Sequence, residues 1–263
     1  MSLAFAAIVP HPPLLIPSIG KEAIKKIDKT KRAMEKLEED LYLSHPDVII
    51  IFSPHSRLLK DSFTVNVSPE YQSDLREFGD LSTKLKVKGE LNLMSQLRKS
   101  AEENKISTSM ITENILDHGL TVPLFYLTPH LPNVTILPIG FCEADAKTHL
   151  DFGSLLKEQI MNSTKRVAVL ASGDLSHALT TDAPAGFNPA GPEFDAKIQQ
   201  LLATQNTTGF LQLDQEMVKN SAECGFRTFL MLMGVLRGVH YTYQSYAYEA
   251  PFGVGYLTAN FAI

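Results

Sequence analysis

Short apolar runs recur along this chain and set its architecture: Leu3–Val9 (LAFAAIV), Asp47–Phe52 (DVIIIF), Val134–Ile139 (VTILPI) and Arg166–Ala171 (RVAVLA). Each has the length of a strand and lacks a regular polar face. Strands of that kind are covered on both sides, as in a parallel sheet flanked by helices. Ser62–Val67 and Ile106–Ile111 add two more strand-like segments. Between the runs, Lys21–Tyr42, Asn92–Asn104, Ala144–Met161, Pro192–Ala203 and Glu223–Leu236 carry helical spacing. Strands alternating with helices predict an α/β fold, a central and mostly parallel sheet with helices on both faces. The closing stretch, Val239–Ala262, is different: two β-rich runs broken at Ala250-Pro251-Phe252-Gly253, read as a C-terminal hairpin. No repeat or long linker divides the chain, so residues 1–263 are expected to form one domain.

Composition narrows the function. The net charge is −5 and no basic patch stands out, which argues against nucleic acid as a partner. No apolar run approaches the roughly 20 residues that span a bilayer. The opening residues show no secretory pattern, and two distant cysteines, Cys142 and Cys224, make no disulfide framework. A cytoplasmic location is the expectation.

The histidines carry the chemical signal. In open α/β sheets, ligands gather at the carboxyl ends of the strands. His11 follows one apolar run in VPHPPLLIP, His55 follows the next in FSPHS, and His177 follows a third in VLASGDLSH. His118, in LDHGLTVPL, stands at the start of a predicted helix. Prolines beside His11 and His55 restrict the backbone and so preorganise two imidazoles, as a metal site requires. His45, His130 and His149 sit in other contexts and read as solvated or capping residues, His149 on a surface helix.

A metal site with two imidazoles needs a further donor, and a carboxylate would complete the facial triad of non-haem iron. Candidates are Glu223 at the head of an apolar helix, Asp174 and Asp117 beside histidines, Glu143, and Glu249 in YEAPFGVGY, which lines the pocket or forms a buried ion pair. Cys224, next to Glu223, is an alternative ligand suited to zinc or a softer site. Walker A, G-x-G-x-x-G, H-E-x-x-H and G-x-S-x-G patterns are all missing.

Taken in order, VPHPPLLIP, FSPHS, LDHGLTVPL, SGDLSHAL and ECGFRTFLMLMGVL resemble the class III extradiol ring-cleavage dioxygenases of the LigB-like superfamily, which also contains the Memo proteins. The resemblance spans nearly the whole chain. It implies that His11, His55 and Glu223 hold a non-haem Fe(II), with Zn(II) the alternative metal. It implies that His177 and His118 act as acid and base, and that Asp174 and Glu249 support the pocket. The implied substrates are a small aromatic diol and O2, and a homo-oligomer is the family default. Cys224 occupies the position where Memo-like relatives carry a cysteine. Two other readings therefore accompany the dioxygenase: a Memo-like metal-binding protein without ring cleavage, and a zinc-dependent hydrolase using a metal-bound water.

Overall fold

The computed structural model describes residues 2–263. Its strands are β1 (Leu3–Val9), β2 (Val48–Ser53), β3 (Phe63–Asn66), β4 (Glu70–Ser73), β5 (Lys86–Gly89), β6 (Thr108–Ile111), β7 (Ile115–Leu116), β8 (Thr135–Gly140), β9 (Val167–Ser172), β10 (Thr242–Glu249) and β11 (Tyr256–Ala262). Its helices are α1 (Pro17–Gly20), α2 (Asp28–Leu43), α3 (Met94–Glu103), α4 (His118–Leu127), α5 (Ala146–Met161), α6 (Ala190–Ala203), α7 (Thr207–Leu211), α8 (Gln215–Asn220) and α9 (Phe226–Leu236).

Among the described residues the strands form one mixed sheet, ordered β10-β11-β1-β9-β2-β8-β5-β4-β7, with β3 joining β6 to β8. β1, β9, β2 and β8 run parallel to one another. β2 and β9 are buried along their whole length, as apolar strands without a polar face must be. Alternate residues feed two core layers. Ala6, Ile8, Ile50, Phe52, Val169 and Ala171 face α3, α5, α6 and α9. Phe5, Ala7, Val9, Ile49, Ile51 and Leu170 face α2 and α4. The expected α/β domain and the antiparallel C-terminal β10–β11 pair are both present, with β11 antiparallel to β1. No described helix is long and apolar enough to cross a membrane.

Two local expectations fail. The helix predicted over Lys21–Tyr42 is split: Lys21–Ile27 is a 3-10 segment, and α2 begins only at Asp28. The Glu249 carboxylate fixes that start, accepting from Thr30 N–H at 2.6 Å and Thr30 Oγ1 at 2.7 Å. It satisfies donors that a helix N-terminus leaves open. Glu249 is therefore a helix-end partner of Thr30. His149 is fully buried rather than on a surface, because α5 packs against both the sheet and α9. Its ring lies 5.1 Å from that of Phe63, and its Nδ1–H donates to Asp145 O at 2.8 Å.

Candidate metal centre

Because β1, β9 and β2 are parallel, the segments leaving them emerge at one rim. His11 leaves β1 between prolines, and the chain turns at once, with Leu15 N–H donating to Pro12 O at 3.0 Å. The imidazole is 2 % exposed. Its Nδ1 lies 2.9 Å from Ser172 Oγ, and that hydroxyl donates to Gly119 O at 2.5 Å. The single hydroxyl proton being committed to a carbonyl, Ser172 accepts from Nδ1–H. This fixes the tautomer and leaves the lone pair on Nε2.

Nε2 of His11 meets three other donors. His55 Nε2 is 3.0 Å away, Cys224 Sγ 3.6 Å and Asp174 Oδ2 3.8 Å. Two ring nitrogens at that spacing either share one proton or point at one cation. Burial, then the charges of His55 and His177, hold the His11 pKa well below the ordinary imidazole value. Asp174 is buried, its Oδ1 accepting from His11 N–H at 3.0 Å, and burial lifts its pKa to about 6. Burial also pushes the Cys224 thiol well up, reinforced by the charges of Asp174 and Glu223. These are groups that a cation would return to their charged, ligating forms.

Close backbone approach makes the convergence possible. A Cβ on Gly173 would stand 2.3 Å from Gly225 Cα, so only paired glycines let the Asp174 and Cys224 loops lie side by side. Gly225 N–H donates to Asp174 O at 3.0 Å, and Asp174 N–H donates to Cys224 Sγ at 3.3 Å.

His118 is the first residue of α4. Asp117 caps that helix through Leu120 N–H at 3.1 Å and accepts from Ser53 Oγ at 2.8 Å and Ser56 Oγ at 3.1 Å, tying α4 to the His55 loop. The His118 ring stacks on His55 at 4.1 Å and lies 5.4 Å from His11. Burial, then His55 and His11, lower its pKa to about 3, which keeps it neutral. Two sets of donor atoms, each within 4.8 Å of one another, thus share His11: one with His55 and His118, the other with Asp174 and Cys224. His177 stands beside them, its charge acting on His11 and Asp174. Its backbone N–H donates to Ser221 O at 3.1 Å, and its buried Nδ1 has no protein partner.

Glu223, expected as a third ligand, stands at the head of α9. Its carboxylate accepts from Phe226 N–H at 2.5 Å, closing the N-terminus of α9, and it belongs to neither convergent set among the described residues. Burial lifts its pKa to about 7. Arg57, two residues past His55, pairs with Glu113 at 3.1 Å on the surface. Sequence reasoning missed Ser172, the residue that orients His11; its one visible sign was a hydroxyl ending the strand that leads to Asp174.

Comparisons with known proteins bear on the family and the fold. A family model described as the catalytic LigB subunit of aromatic ring-opening dioxygenase matches residues 5–259. Protein CA_C1420 of Clostridium acetobutylicum is 31 % identical over 265 residues, covering 97 % of this chain. The chain spans 57 % of that relative's length. The crystal structure of an uncharacterized protein, JW3007 from Escherichia coli K12, has the same fold, with a TM-score of 0.68 at 16 % identity over 98 % of this chain and 99 % of its own.

Proposed function

Since the chain belongs to the family of catalytic LigB subunits of aromatic ring-opening dioxygenases, we propose that it is a non-haem Fe(II)-dependent extradiol dioxygenase acting on a catechol-type ring and O2. The observation that carries this reading is the convergence of His11 and His55, from the ends of β1 and β2 on either side of β9, with their Nε2 atoms 3.0 Å apart. The residues fit a cation. The Ser172 hydroxyl reserves the His11 Nε2 lone pair for it, and a thiol and a carboxylate lie within reach of the same nitrogen. His11 and His55 would hold the metal with Cys224 as third donor, while Asp174 braces the His11 backbone. The N–H that Asp174 donates to Sγ stabilises the thiolate form.

Bound there, Fe(II) supplies a Lewis acid for the diol oxygens and an electron path between diol and O2. The chain's own work is proton handling and orientation. The unpartnered Nδ1 of His177 is the group free to take a proton from a substrate hydroxyl, a task suited to imidazole near neutral pH.

One observation favours a second reading. A thiol in the donor set suits zinc, and a zinc centre would activate water for hydrolysis or serve binding without ring cleavage. Metal analysis of the purified protein, then anaerobic Fe(II) loading and O2 uptake with a panel of catechols, separates the two. The dioxygenase reading expects iron-dependent O2 uptake and a coloured ring-opened product. Tightly bound zinc with every catechol inert would replace it by the second.

A further inference from the structure

We infer that Tyr256 is a ligand-binding residue of the centre, its hydroxyl donating a hydrogen bond to an anionic oxygen of the diol held there. The inference rests on the metal and diol reading above but not on ring cleavage. Its first support is register. β11 pairs antiparallel with β1, Ala7 opposite Asn260 and Ile8 opposite Ala259. Continued three residues, the same register sets Tyr256 level with His11, where β11 begins and β1 has given way to the proline turn. Tyr256 therefore starts its strand at the rim that carries the centre, opposite Glu249 of β10. The residue before it is bound to the loop that carries Asp174 and His177: Gly255 N–H donates to Ser176 O at 2.9 Å, and Leu175 N–H donates to Gly255 O at 2.8 Å. A Cβ on Gly255 would stand 2.1 Å from Asp195 Oδ2 and 3.0 Å from Leu175 Cβ, so that crossing has no slack.

The second support is the state of the phenol. The residue is 4 % exposed, its ring packed in the core layer that faces α2 and α4. Buried tyrosine hydroxyls ordinarily find a partner. This one has none among the described residues, and it is not one of the unpartnered side-chain atoms sealed from solvent, which are His149 Nε2, His177 Nδ1, Thr258 Oγ1 and Asn260 Oδ1. The hydroxyl thus keeps an opening and a proton to give. Burial, then the charges of Asp174, Glu249 and Cys224, push its pKa above the ordinary phenol value, which sets it in the field of the centre and keeps it protonated. A neutral O–H donor in such a site selects an oxygen that carries negative charge, since charge-assisted hydrogen bonds are about twice as strong as neutral ones. His177 takes the proton of a diol hydroxyl; Tyr256 holds an oxygen left charged.

The test is Tyr256→Phe, which keeps the ring and removes an oxygen that bonds nothing in the protein, so the metal-free variant is expected to melt with wild type. Co(II) affinity is measured anaerobically against a competing chelator. Then 4-nitrocatechol is titrated into the Co(II)-loaded proteins, still without O2, and followed by its visible absorbance. The expected result is Co(II) affinity within about twofold of wild type and a loss of about tenfold or more in 4-nitrocatechol affinity. A smaller loss, or none, would overturn the inference and leave the metal and diol reading standing. A parallel loss of Co(II) affinity would overturn it too, by making Tyr256 part of the metal site's framework. So would a variant that melts well below wild type, since the hydroxyl would then be spent inside the protein. Wild-type protein that takes up Co(II) but no 4-nitrocatechol would remove the diol reading, and one that takes up no Co(II) the metal reading, the inference falling with either.

Discussion

Ser172 shows how one hydroxyl can decide what a histidine does. By accepting from His11 Nδ1–H and passing its own proton to Gly119 O, it selects the tautomer with a free Nε2. Ser172→Ala should leave the fold standing and lower metal affinity about 10- to 100-fold, the usual cost of losing the group that orients a ligand; competition with a chelator measures it. Cys224→Ser should abolish the near-ultraviolet sulfur-to-metal absorption of the Co(II) form, whereas Glu223→Gln should retain it, because Glu223 is occupied at the helix end. At this scale legibility followed chain distance. His11 and His55 announced themselves by prolines at strand ends. The Ser172 bridge did not, because its partners are 161 and 53 residues away. Glu223 stayed ambiguous because a carboxylate at a helix start has two uses, ligand or helix-end acceptor, and sequence alone does not distinguish them.

The elements hold the centre through close crossings and one buried carboxylate. α5 and α9 touch backbone to backbone: a Cβ on Gly234 would stand 2.1 Å from Leu150 O, and one on Gly153 2.0 Å from Met231 O. Gly234→Ala should destabilise the protein by about 1–3 kcal/mol through overpacking and loosen α9, which carries Cys224 at its start; denaturant melts read the first effect and metal affinity the second. On α6, buried Asp195 accepts from Ser176 N–H at 2.8 Å and from Tyr248 OH at 2.7 Å, steadying the loop between Asp174 and His177. Burial lifts its pKa to about 6, above the unfolded value of about 3.9. The folded state then holds a proton that the unfolded state has lost. Stability from this group is complete below about pH 4 and falls as pH rises through 6. Asp195→Asn should flatten that part of the stability–pH curve, measured by chemical denaturation from pH 4 to 8. The long apolar strands and α3, α5, α6 and α9 were readable from periodicity. β4, β5 and β7, of four, four and two residues, were not, since segments so short and partly charged form only against neighbours already in place.

For the whole molecule, the alternation of buried strands and helices was enough to specify the α/β layers, while the edge of the sheet beyond β8 depended on pairings that no local pattern encodes. Metal binding and folding are linked at this scale, since a cation gripped by distant segments favours only the folded chain. A metal at a hundredfold excess over its Kd should add about 2.7 kcal/mol, raising Tm by roughly 5–10 °C for a chain of this size; His11→Ala should lose that increment in differential scanning calorimetry. The pairing of His11 with Cys224 across 213 residues also orders events in time. During synthesis the two histidines emerge early, whereas the thiol arrives late and the β11 strand that covers the flank of β1 arrives later still. A nascent chain would therefore offer passing ions only a partial grip, and a cation held by both groups would be captured as one of the last acts of maturation.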